Sequence, residues 1–287
     1  MGAASGIGAR DTGCEDGPVA FHHSRAWREL EHHPALDWDR TLFPVGDRSL
    51  SVTNRVAGLC RHLADEVALT LASGQFPVVV GGDHSVAIGT WSGVARHVAA
   101  PVGLLWIDAH MDSHTPETTY SGAIHGMPLA CLLGQGDKRL LDIGLTGGQL
   151  IPAHTVVFGA RSFEPEEAEF LERMRVRVFG EEEIERDGFR AAFDAALAIV
   201  RGAPNGFGIS IDLDAIDPSI APGVGSPEPD GLTAADVLAG LDELADNENL
   251  LCLEIVEYNP DRDRHGITAK LIGGLIKEIL PAGSKAR

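Results

Sequence analysis

Hydrophobic positions along this chain follow two periods. Runs of five to seven residues rich in Val, Ile, Leu and Phe alternate with longer stretches in which apolar residues return every three or four positions. The short runs read as strands over Pro77–Gly81, Val102–Asp108, Thr155–Gly159, Arg175–Phe179, Gly206–Asp212 and Leu250–Val256. The helical period covers Val52–Leu71, Val86–Val98, Pro165–Met174, Phe189–Val200, Ala234–Leu244 and Thr268–Ile279, with Ser85 and Thr233 placed as caps. Strands alternating with helices predict an α/β fold of parallel strands joined by crossover helices.

No internal repeat, low-complexity tract or linker divides the 287 residues, so one domain is expected over 1–287. Gly2–Gly17 is Gly-rich loop material with no apolar run ahead of it, which suggests a chain that begins inside a strand-to-loop connection. The Gly- and Pro-heavy segment Pro218–Gly231 is too short for a linker and follows an acidic cluster, which marks it as a functional loop.

Apolar residues make up 44% and charged residues 23%, and no apolar run is long enough to cross a bilayer, so a soluble protein is expected. The start lacks an export or myristoylation pattern, and Cys14, Cys60, Cys131 and Cys252 lie far apart, so reduced thiols in a cytoplasm are expected. A formal charge of −19 argues against nucleic acid or an anionic membrane as partner. It favours a cationic ligand, although surplus acid by itself also serves solubility.

The chemistry gathers at strand ends. His84 stands in GGDHS, Asp108, His110 and Asp112 in DAHMD, and Asp212 and Asp214 in SIDLDAIDP. In open parallel sheets the carboxyl ends of strands face a common crevice, so these groups can converge. Alternate positions on a strand end point to one side, which aims Asp108, His110 and Asp112 together, and likewise Asp212 and Asp214. Four carboxylates cannot ionise together in a dry crevice without cations, and two divalent ions would balance them. A carboxylate-rich set with two imidazoles suits Mn²⁺, without excluding Zn²⁺, Co²⁺ or Ni²⁺ by affinity. Two such ions can share and activate a water.

With these motifs in order, together with GARDTGCEDGP, APGVGSPEPDGLT and IVEYNP, nearly the whole chain resembles the ureohydrolase family of arginases and agmatinases. The resemblance implies a three-layer α/β/α fold with a mostly parallel sheet, two Mn²⁺ ions, and hydrolysis of a small cationic guanidino substrate to urea and an amine. It also implies His84, Asp108, Asp112 and Asp212 around one ion and Asp108, His110, Asp212 and Asp214 around the other, with Asp108 and Asp212 bridging. His125 in HGMP matches a proton-shuttling histidine, and Glu257 in VEYNP an acid that pairs with the guanidinium. A carboxylate there can hold a planar guanidinium by two parallel charge-assisted hydrogen bonds.

The loop from DAHMD to HGMP resembles that of arginases, with Thr119 and Ser121 at positions that meet the substrate's carboxylate. Here the chain departs from the pattern: His114 and Ala123 stand where asparagine is expected, and Ser162 where arginases often carry aspartate, while Glu164 matches an acid that meets the amino group. L-arginine is therefore the first expected substrate, with agmatine, guanidinobutyrate or guanidine as alternatives. A zinc amidohydrolase of the related deacetylase fold would need an active-site tyrosine in a glycine-rich setting, which neither Tyr120 nor Tyr258 has; a non-catalytic metabolite-binding homologue is the remaining alternative. The resemblance further implies a homo-oligomer, trimer or hexamer. It also implies that an interior strand preceding GAASG is missing, and hence a natural start upstream.

Overall fold

The strands, in chain order, are Gly2–Ala3 (β1), Thr41–Leu42 (β2), Val78–Gly81 (β3), Val102–Ile107 (β4), Leu150–Ala160 (β5), Arg177–Gly180 (β6), Phe207–Asp212 (β7) and Leu250–Val256 (β8). The computed structural model describes residues 1–47, 49–245 and 247–280. All eight strands pair in parallel in one sheet, ordered β2-β1-β3-β8-β7-β4-β5-β6. The sheet is thus fully parallel rather than mostly so.

Alternation along each strand divides the core between two faces. In β4, Leu105 and Ile107 join Phe158, Ile209, Ile211 and Ile255 under the helices Phe189–Val200, Ala234–Asp242 and Ile267–Ile279. Leu104 and Trp106 point the other way and join Val79, Val157 and Val256 under Val52–Ala72, Ala87–Val98 and Pro165–Met174. Helices on both faces give three layers. Each fully buried large apolar side chain contributes about 2 kcal/mol, so it is this double burial that holds the strand ends in place.

Where expectation and structure differ, local chemistry gives the reason. Ser85 does not cap: Asp83 takes that role, accepting from Ser85 N at 3.0 Å and opening a turn over His84–Val86. Thr233 caps as expected, accepting from Asp236 N. β6 starts at Arg177 rather than Arg175, because Arg175 adopts φ 62° to end the preceding helix. β5 starts earlier than its apolar run, through Pro152 and His154, with a register shift against β4.

At the start of the chain, Gly2–Ala3 is strand rather than loop, and occupies the interior position between β2 and β3. The Met1 amine donates to Val78 O at 2.9 Å, and its burial lowers its pKa to about 6. A cavity of about 1040 Å³ lies beside it, bounded by Trp27, Trp38, Val78, Leu250 and Ile276; His84, Asp108, His110, Asp112, Asp212 and Asp214 do not line it.

Gly208 in β7 lies under Trp91, and a Cβ there would fall 2.0 Å from the indole. Gly208→Ala is therefore expected to destabilise the protein by about 1–3 kcal/mol, read as a lowered Tm. Gly46→Ala, with nothing within 4 Å of its Cβ position, is expected to leave Tm unchanged.

Candidate active site

Four adjacent strands, β3, β8, β7 and β4, end at one edge and deliver the polar groups. His84 follows β3, Glu257 follows β8, Asp212 ends β7 with Asp214 two residues on, and Asp108 follows β4 ahead of His110 and Asp112. Local hydrogen bonds aim them. Asp108 Oδ1 accepts from His110 N at 2.7 Å and Asp212 Oδ1 from Asp214 N at 2.8 Å, so each acid braces its turn with one oxygen; Asp108 Oδ2 is in turn held by Trp106 Nε1, which donates to it at 2.8 Å. Asp112 (φ 45°) and Glu257 (φ 65°) adopt left-handed backbone, a conformation that costs a non-glycine residue about 1 kcal/mol or more and clusters at functional sites.

The Oδ2 atoms of Asp108, Asp112 and Asp212 converge on His84. Its Nδ1 lies 3.2 Å from Asp108 Oδ2 and 3.1 Å from both Asp112 Oδ2 and Asp212 Oδ2, yet is aligned with none of them as a hydrogen bond. On the far side of the ring, Nε2 meets Ser210 Oγ at 3.0 Å, and that hydroxyl donates to the buried Glu254 at 2.7 Å. Trp91 Nε1 also donates to Glu254, and Trp106 stacks on the His84 ring at 3.9 Å. An imidazole anchored through Nε2 with Nδ1 aimed among carboxylate oxygens is the arrangement of a metal ligand. His110 repeats the Nδ1 side of it, with Nδ1 3.2 Å from Asp214 Oδ2 and 3.5 Å from Asp108 Oδ1, while Glu228 stands near Nε2 at 3.6 Å, outside hydrogen-bond reach.

Two sets of ligand atoms, His84–Asp108–Asp212 and Asp108–His110–Asp214, each lie within 4.8 Å of one another, and Asp108 belongs to both. Asp112 reaches the first through His84. The electrostatics ask for cations. Burial, then Asp108, pushes the Asp112 carboxyl up to about 6, and burial, Asp214 and Asp108 raise Asp212 well above its usual range. Burial would lower His84, but Asp108, Asp112 and Asp212 together raise it. Carboxylates this close ionise together only around positive charge, so the residues present fit divalent ions.

A cavity of about 210 Å³ opens above the clusters, lined by His110, Asp112, Ser121, His125, Glu167 and Glu257 among others. Glu257 is buried: its Oε1 accepts from His84 N at 2.9 Å and meets His125 Nδ1 at 3.1 Å, while its Oε2 accepts from the Cys14 thiol at 3.1 Å. Burial alone would lower His125, but Glu257 outweighs it and holds the imidazole at about 9.

At the outer end, His114 is buried with Nδ1 3.1 Å from Thr118 Oγ1 and Nε2 3.0 Å from Glu164 Oε2. Ser121 lines the cavity, whereas Thr119 does not border it and accepts from Gly122 N at 3.0 Å. The sequence reading did not single out Glu167, Ser210, Glu254 or Cys14. Glu167 carried a readable signal: it stands three residues after Glu164 across the start of a helix and closes a capping box with it. From Pro218–Gly231, Ser226 lines the cavity and Gly225 packs on Glu257, as the functional-loop reading expects.

A parallel α/β/α sheet carrying these clusters and a buried acid at its carboxyl edge defines a ureohydrolase-type enzyme. The chain belongs to the Arginase family, whose model matches residues 1–281. It is 36% identical over 293 residues to an arginase of Bacillus caldovelox, covering 98% of each chain, and 36% identical over 286 residues to one of Brevibacillus brevis, covering 97% and 96%. The crystal structure of arginase from Bacillus subtilis superposes with a TM-score of 0.86 at 33% identity, over 99% of this chain and 98% of that one.

Two measurements test the site. Because Asp108 belongs to both clusters, Asp108→Asn is expected to lower bound metal after Mn²⁺ loading and gel filtration, while His125→Ala keeps the wild-type content. In the metal-free protein, NMR titration of His125 is expected to give a midpoint near 9 that falls in Glu257→Gln, where burial is opposed by Asp112 and Asp83 without Glu257. The sign follows: the stability from this pair is complete below 6.5 and is lost as pH rises through about 9.

Proposed function

We propose that this ureohydrolase hydrolyses the guanidino group of L-arginine to L-ornithine and urea with two Mn²⁺ ions. The observation that carries the reading is the buried Glu257 carboxylate, held beside both metal-type clusters and against His125 in one small cavity. His84, Asp108, Asp112 and Asp212 would hold one ion, and Asp108, His110, Asp212 and Asp214 the other. Bound there, the ions supply an activated water for attack on the guanidino carbon.

The chain's own groups do the rest. Glu257 accepts two parallel N–H bonds from the planar guanidinium and fixes its carbon over the clusters. Water adds to that carbon, the bond to the alkyl nitrogen breaks, and the departing amine takes a proton. His125, protonated at neutral pH through its contact with Glu257 until substrate takes that place, lines the same cavity and can give it. The arginases among the relatives, at 36% identity, support arginine as the substrate, as does Ser121 on the cavity wall.

One observation favours a second guanidino substrate. His114 stands against Glu164 at 3.0 Å, so the acid matched to the amino group already has an internal partner. Guanidinobutyrate, which lacks that amino group, is the runner-up.

The test is urea release from Mn²⁺-loaded protein offered arginine, agmatine, guanidinobutyrate, guanidinopropionate and guanidine. Arginine is expected to give the highest kcat/KM, and Glu257→Gln to lower it by about a hundredfold or more. Urea from none of the five overturns the reading.

A further inference from the structure

The turn Thr12–Asp16 carries Cys14, which is fully buried with its Sγ 3.1 Å from Glu257 Oε2. Backbone packing brings it there. Asp11 accepts from Gly13 N and meets Arg262 at 2.7 Å. A Cβ on Gly13 would fall 2.4 Å from Asn259, and one on Gly17 2.3 Å from Tyr258 O, so this turn lies directly on the segment that follows Glu257. From the opposite side Gly225 closes in: a Cβ there would meet Glu257 Oε2 at 2.5 Å and Cys14 Sγ at 3.1 Å.

Counting acceptor positions gives the thiol a role. A carboxylate offers about four, two on each oxygen. Oε1 is filled by His84 N and His125 Nδ1, whereas Oε2 has the thiol alone. A guanidinium bound at two points needs one position on each oxygen. Oε2 keeps one with the thiol in place, and Oε1 gains one when His125 turns away. The thiol is therefore the contact that can persist while substrate binds, and His125 the one that exchanges. Burial, and then Glu257, push the thiol far above its ordinary range, so it stays protonated and donates. As a weak donor it orients the acid while leaving most of its negative charge for the substrate.

We propose that Cys14 is a positioning residue for Glu257, its S–H fixing Oε2 so that the carboxylate meets a guanidinium squarely. This rests on the guanidino-hydrolase reading above. Cys14→Val removes the donor at similar volume, and Cys14→Ser keeps a donor in a smaller side chain. With Mn²⁺-loaded protein, Cys14→Val is expected to raise KM for arginine about five- to tenfold with kcat within about twofold, and Cys14→Ser to stay within about twofold of wild type. A packing role alone would give the opposite order, since valine fills the space and serine leaves a void. Equal KM in wild type and Cys14→Val overturns the proposal. Should Cys14→Val fail to fold by circular dichroism, Cys14→Ala is read in its place.

A second measurement is independent of turnover. The infrared S–H stretch of Cys14, assigned by its loss in Cys14→Ser, is expected at the low frequency of a thiol bonded to a carboxylate, and to rise in Glu257→Gln. A wild-type band at the free-thiol frequency overturns the proposal. A wild-type protein that releases no urea from any guanidino compound sinks the functional reading instead, and the S–H band then decides the fate of the thiol contact.

Discussion

The mutual repulsion of buried carboxylates is the constraint from which the rest of the site follows. Asp108, Asp112, Asp212 and Asp214 sit within one crevice, all nearly inaccessible to solvent. Solvent cannot screen them there, and among the described residues the basic groups between them are the imidazoles of His84 and His110, each facing acids through Nδ1. Such a cluster can be fully ionised only around added positive charge. The double-sided sheet, the braced turns and the left-handed backbone at Asp112 keep these groups together against their own electrostatics.

Much of this is legible in the sequence because it rests on period and spacing. The strand ends before His84, Asp108 and Asp214 fall where apolar runs stop, and the helix Phe189–Val200 matches its apolar period at both ends. β1 and β2 were not legible, since two residues carry no period. Ser210 and Glu254 escaped for a different reason. They are polar residues within buried strands, facing each other in register across β7 and β8, and nothing along the chain marks that neighbourhood. Cys14 and Glu257 are further removed still, 243 residues apart and joined only by folding.

The metal-type groups and the groups proposed to meet the far end of the substrate have different supports. The former hang from three strands inside the sheet, β3, β7 and β4, whereas His114, Ser121 and Glu164 belong to connections at its rim. The chain's departures from the arginase pattern, at His114, Ala123 and Ser162, all fall in the rim. Loops tolerate exchange that interior strands do not, so the far end of the substrate can be redefined while the reacting end stays fixed.

The backbone bonds accepted by Asp108 and Asp212 bear on how the crevice would take up ions. Because the turns are closed by protein hydrogen bonds alone, the scaffold around the crevice is complete before any ion arrives. Loading is then a filling event rather than a folding event, unlike small zinc modules that collapse into shape around their metal. A chelator should accordingly strip the centre and leave the fold standing, ready to be recharged.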